Sequence, residues 1–150
     1  MIDPPVALAL APARDVIVLD LWEGAPPAVP GVRLLPVEPH RWWLIDGAAS
    51  VDTLAVQIGD RGALTPIGGG LTRATLTGPG WRELLTISGF FDVENPDFGP
   101  GMIAATTIHH VPVWIAPFAE DACEVFLPNS YAPTLADLWS RYAAEKGGSS

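Results

Sequence analysis

The spacing of apolar residues changes period repeatedly along the chain, and each change marks a boundary between elements. Val16, Val18 and Leu21 fall in a short apolar run, residues 15–21, that reads as a strand able to pair with a sheet edge. It is held between an N-terminal arm, residues 1–14 with Pro4-Pro5, and the acidic, proline-rich loop 23–30. A second run, 32–35, leads through Pro36 and Pro39 to Arg41-Trp42-Trp43-Leu44-Ile45, where β-favouring aromatics followed by Asp46-Gly47 predict a buried strand. The period then lengthens. Val51, Leu54, Ala55 and Ile58 recur as one face of a short helix, with Ser50 placed to accept the first amide hydrogens and Gly59 to close it. Beyond Pro66 and Gly68-Gly69-Gly70, residues 71–77 alternate small, polar and β-branched side chains, which predicts a strand.

The second half is patterned more sharply. Trp81, Leu84, Leu85 and Ser88 lie on one helical stripe, and Gly89 is placed to take the left-handed conformation that stops such a helix. Strands over 102–108, 111–116 and 123–127 follow, connected closely enough to form an antiparallel meander. Ser130 caps the last helix, where Leu135, Leu138, Trp139 and Tyr142 share a face and Asp137 and Arg141 form an exposed pair. Residues 147–150 are expected to fray. The fold expected is α+β: a mostly antiparallel sheet with helices packed on one face, in one domain over 1–150 with one core.

Composition narrows the function. Charged residues make up 17% of the chain, below the usual quarter or so, and this predicts a surface partly covered by a partner. A formal charge of −9 with a single lysine, Lys146, leaves no basic footprint for nucleic-acid phosphates. The one cysteine, Cys123, excludes an internal disulfide framework and fits a reducing compartment. The apolar segment 6–13 lacks a basic flank and is broken by Pro12, unlike a signal peptide, and no apolar run reaches the roughly 20 residues of a membrane span. A cytoplasmic protein is expected.

Candidate chemistry is sparse. The triple glycine at 68–70 lacks the Lys-Ser/Thr of a phosphate loop and precedes a strand, so a turn is expected there. His109 and His110 are adjacent and predict a polar turn, since neighbouring strand positions point to opposite faces and cannot chelate one ion together; His40 beside Pro39 reads as a loop residue. Cys123 alternates with Val125 and Leu127, as a small core residue does. Asp92, Glu94 and Asp97 crowd one loop; like charges there would raise a carboxyl pKa if buried, but clustering alone does not imply burial, and solvated loop charges are the commoner case. No catalytic, cofactor-binding or metal-ligating residue is therefore assigned.

The tryptophans carry more. Trp81 and Trp139 sit on apolar helical stripes and are expected in the core. Trp42 and Trp43 must face opposite ways on one strand, so burying one leaves the other in need of a second cover, from a helix or from a partner. With Trp114 they form the candidate partner interface.

The order of short motifs in the second half resembles one family. Leu76-Thr77-Gly78-Pro79-Gly80-Trp81 opens a helix, Asp92-Val93 follows, and Phe98-Gly99-Pro100-Gly101-Met102 leads towards Thr106. The chain then returns through Val111-Pro112-Val113-Trp114-Ile115 and enters its last helix at Leu127-Pro128-Asn129-Ser130-Tyr131. This succession, residues 71–142, resembles the gamma subunit of heterotetrameric sarcosine oxidase, a relative of the folate-binding aminomethyltransferase (glycine cleavage T-protein) fold. In the related aminomethyltransferases the hairpin matching Ile108 to Val111 is longer, glycine-rich and carries an acid used in folate-dependent transfer; only His109-His110 stands here. The resemblance implies a non-catalytic subunit that docks on larger flavin-containing alpha and beta subunits and a small zinc-binding delta subunit. It implies FAD, FMN, NAD and tetrahydrofolate in those partners, and the oxidative demethylation of an N-methyl amino acid by the assembly. The alternatives are a small stand-alone folate-binding or aminomethyltransferase-like protein using Asp92, Glu94 or Asp97, and a homo-oligomer that turns the same apolar surface on itself.

Overall fold

A computed structural model describes residues 6–13, 15–27, 31–45, 51–87 and 98–148. Ser50, Ser88, Gly89, Asp92, Glu94 and Asp97 lie outside the described residues, and the roles expected of them are not addressed by the structure. The chain divides into two compact units, Pro12–Leu71 and a second made of Met1–Ala11 with Thr72–Ser150. The α+β class expected from the pattern is observed: strands form two sheets, and helices pack on them.

The unit Pro12–Leu71 is built on four strands, β2 (Val16–Leu21), β3 (Arg33–Glu38), β4 (Arg41–Ile45) and β5 (Gly62–Pro66), in the order β3-β4-β2-β5. β2 does not border a sheet edge as its sequence suggested: it runs antiparallel between β4 and β5, with Leu19 opposite Trp42 on one side and Leu64 on the other. Five of its six residues are apolar, Asp20 being the exception, and they give it side chains to bury on each face, which suits an interior strand. Helix α1 (Val51–Ile58) covers one face, where Ile17, Leu19, Leu21 and Leu44 enclose Leu54 and Ile58. Ala55, expected on the buried stripe, is exposed.

Two backbone details fix this sheet. Gly62 opposes Leu21 in an extended conformation, and a Cβ there would collide with the Asp20 carbonyl oxygen, so the close approach of β5 needs a glycine for space. At the β3–β4 turn His40 takes φ 70°, the left-handed value rarely adopted by a residue with a side chain, directly after Pro39.

The other unit has a five-stranded sheet in the order β1-β6-β9-β8-β7. Its strands are β1 (Ala7–Pro12), β6 (Leu71–Thr77), β7 (Ala104–Ile108), β8 (Val111–Ala119) and β9 (Ala122–Pro128). β7, β8 and β9 form the expected antiparallel meander. Helices α2 (Trp81–Ile87) and α3 (Ala132–Gly148) lie on one face and close a core of Leu76, Trp81, Leu84, Val113, Ile115, Val125 and Trp139 among others. Trp81 and Trp139 occupy the core as their helical stripes indicated. The Trp81 indole donates a hydrogen bond to the Glu120 carbonyl at 2.9 Å and the Gly78 amide donates to Asp121 at 2.7 Å, tying the start of α2 to the β8–β9 turn. Ser130 falls inside a single 3-10 turn, Asn129–Tyr131, leading into α3.

Among the described residues, one apolar cluster includes side chains of α2 and α3 and another side chains of α1. The stretch expected to be an arm contains β1, whose hydrogen-bonded neighbour, β6, lies some sixty residues further along the chain.

Candidate partner interface

Each of the tryptophans singled out by the sequence sits on a strand, and strand alternation decides what it faces. Trp42 and Trp43 do point to opposite sides of the four-stranded sheet. Trp42 lies on the α1 face, opposite Leu19 and Pro36, where the short helix covers it only in part. Trp43 lies on the far face, opposite Val18 and Leu35, and is 3% exposed. A side chain buried to that degree within its own chain offers a partner no contact area, so of this pair Trp42 alone presents surface.

Trp114 belongs to the other unit, on β8 opposite Phe126 and Ala105. Since Val113 and Ile115 point into the helical core, Trp114 and Ala116 point to the far face of the five-stranded sheet, where Trp114 is half-buried. This face holds a largely buried charged pair. Glu124, opposite Ala116, is 5% exposed and accepts a charged contact from Arg73 on β6, Nε to Oε2 at 3.2 Å. The Arg73 guanidinium also lies 5.5 Å from the centre of the buried Phe126 ring. A carboxylate this deep is tolerated only beside an opposite charge. Sequence reasoning missed the pair because its members are 51 residues apart and each looks like an ordinary outward-facing strand position.

Trp22 was missed as well. It stands immediately after the last residue of β2 and is 64% exposed, while its amide donates to the Arg61 carbonyl at 2.7 Å. The signal was present: a tryptophan one step past a buried strand end, followed by Glu23-Gly24 with Gly24 at φ 82°, marks an indole carried out on a turn. On the adjoining strands of the same unit, Arg41 donates to Asp20 at 2.7 Å and lies 3.5 Å from Glu38, and these carboxylates hold its guanidinium above its ordinary pKa. In the other unit Phe118, Met102 and Tyr131 are further large apolar side chains left exposed.

The remaining candidates take structural positions. Gly68–Gly70 is one 3-10 turn, and His109 and His110 form the two-residue turn between β7 and β8, with φ of 51° and 69°. Cys123 is fully buried, and burial first, with the neighbouring Glu124 carboxylate second, pushes its thiol pKa far up, against a smaller opposing effect of Arg82. Beside His109 an open groove of about 470 Å³ runs along α3 past Thr134, Leu138 and the Asp137–Arg141 ion pair, 3.3 Å apart. Among the described residues no three His, Cys, Asp or Glu side chains are grouped to hold a metal ion, and no helix is long and apolar enough to cross a membrane.

No protein-family model and no curated protein sequence matches the chain. Among solved structures it is similar to a chain of the heterotetrameric sarcosine oxidase from Corynebacterium sp. U-96 in complex with pyrrole 2-carboxylate. The TM-score is 0.75 at 19% sequence identity, over 92% of this chain and 85% of that one. At that identity the likeness is one of fold, and it agrees with the fold expected from the order of motifs in the sequence.

Proposed function

We propose that this chain is a non-catalytic, gamma-type subunit of a heterotetrameric sarcosine oxidase-like complex that oxidatively demethylates an N-methyl amino acid. The observation that carries the reading is the fold likeness to a chain of such an oxidase, with high coverage of both partners in the comparison. Near-equal coverage also means chains of similar length, which favours a small covering subunit over a large flavin carrier. Two features of the chain support it. The β7–β8 connection is reduced to His109 and His110, which leaves no room for the acid that the related aminomethyltransferases carry there. Trp22 and the half-covered Trp42 and Trp114 offer aromatic surface of the kind enriched at interface centres, on a chain with few charges to keep it apart from a partner.

In this role the chain covers and orients a larger subunit, while FAD, FMN, NAD and tetrahydrofolate belong to the alpha and beta subunits and zinc to the delta subunit. Co-expression with the flavin-containing subunits of a sarcosine oxidase-like complex tests the proposal. The expected result is co-purification in fixed stoichiometry with flavin-containing chains, and loss of N-methyl amino acid-dependent formaldehyde release when this chain is left out. Trp22→Ala and Trp42→Ala are expected to weaken co-purification without unfolding the chain. A monomer that ignores such partners overturns the proposal, and saturable binding of tetrahydrofolate by the isolated chain points instead to a folate-binding protein.

A further inference from the structure

Among the described residues β1, at one end of the five-stranded sheet, is an unprotected edge. β1 reads Ala7-Leu8-Ala9-Leu10-Ala11-Pro12, without a charge, and five of its six residues are exposed; Leu8 alone packs against the core. Among the described residues its hydrogen-bonded neighbour is β6, on one side. Edge strands are ordinarily blunted by charge, proline within the strand or a bulge, because their free amides and carbonyls template further pairing. β3, at an end of the other sheet, shows these devices together: Arg33, Glu38, Pro36 and a register shift between Pro36 and Glu38. β1 has only a proline at its last position.

The sequence of β1 is also its own mirror. Read outward from Ala9, leucine follows on either side at Leu8 and Leu10, and alanine at Ala7 and Ala11. Antiparallel pairing of two such strands about a twofold axis at Ala9 sets Ala9 against Ala9, Leu8 against Leu10 and Ala7 against Ala11, the isologous arrangement a symmetric dimer requires. Charge selects the location. A chain carrying a net −9 is repelled overall by its own copy, and a six-residue stretch free of charge is where two copies can meet without setting like charges opposite each other.

We infer that β1 is a self-association edge, and that two copies of this chain join antiparallel through β1 into one continuous sheet. The seam spans about 20 Å, so the dimer is weak and dependent on concentration. The inference does not rest on the proposed function, since it concerns the isolated chain.

Sedimentation equilibrium of the full chain from low-micromolar to near-millimolar concentration tests it. Wild type is expected to shift from monomer to dimer. Ala9→Lys, at an exposed position, sets one lysine against another and is expected to raise the dimer dissociation constant about fivefold. Mixing the Ala9→Lys chain with an Ala9→Glu chain is expected to restore dimerisation in the mixture, because the residue on the axis meets its own position in the partner. Leu10→Lys serves as a second variant, with circular dichroism and melting temperature to verify folding. A wild type that stays monomeric throughout, or a dimer indifferent to all of these substitutions, overturns the inference.

Discussion

The indole N–H of Trp81 donates to the backbone carbonyl of Glu120 across 2.9 Å, joining the first residue of α2 to the turn between β8 and β9. Trp81 is fully buried, and its ring also carries the Arg82 guanidinium 4.4 Å from its centre. Packing and hydrogen bond therefore separate by substitution. Trp81→Phe keeps most of the apolar volume and is expected to cost about 1–2 kcal/mol, since Glu120 is exposed and water can replace the lost donor. Trp81→Ala opens a cavity and is expected to cost about 3–5 kcal/mol. Urea denaturation of both variants checks the ordering.

The Arg73–Glu124 pair is expected to be strongly non-additive. Glu124→Leu leaves a partly buried guanidinium without its carboxylate, and about 2–4 kcal/mol is expected to be lost, moderated because the Arg73 side chain keeps 22% of its exposure. Adding Arg73→Met to Glu124→Leu is expected to recover part of that loss. A double-mutant cycle in denaturant measures the coupling.

Cys123 is expected to make stability fall at alkaline pH. Folding raises its pKa above the ordinary 9.0, so between that value and the folded one the native state holds a proton that the unfolded chain releases. The contribution is complete below pH 9.0 and declines as pH rises beyond it. Cys123→Ala is expected to flatten this part of a stability–pH curve. In the native wild type, the thiol is expected to react with an aromatic disulfide reagent only as fast as the chain opens.

The β7–β8 turn can be relieved. His109 and His110 both hold left-handed backbone, and a two-residue hairpin turn with two positive φ values favours Asn-Gly. His109→Asn combined with His110→Gly is expected to stabilise the chain by about 1–2 kcal/mol, read as a higher melting temperature.

Gly62→Ala is expected to destabilise for a steric reason alone. The backbone there is extended and suits any residue, but the added methyl meets the Asp20 carbonyl, so β5 must shift away from β2. A loss of about 1–3 kcal/mol is expected in thermal melts.

Local patterns were legible where an element's partner is close in sequence. The meander β7-β8-β9 and the start of α2 at Trp81 follow from alternation, helical spacing and short turns, all carried within a few residues. β1 and β5 were not legible. Alanine and glycine give them little intrinsic strand preference, and their hydrogen bonds come from β6 and β2, far along the chain. The candidate interface divided in the same way. That Trp42 and Trp43 face apart follows from alternation; that Trp43 is the buried member depends on what covers each face, which no local pattern records. Glu124 shows the limit most plainly, because a single acid within an apolar strand reads as an outward position until its arginine is located on another strand.

The placing of β1 beside β6 has a consequence for the order in which the chain acquires its shape. During synthesis β1 is made before β6, and this neighbour in the sheet follows only after the whole of Pro12–Leu71 has been translated. Throughout that interval an uncharged Ala-Leu ribbon waits with both of its edges open. Slow translation through this region, or a nascent chain held there, lengthens the time for which β1 is without its neighbour, so prompt completion of β6 favours the native pairing.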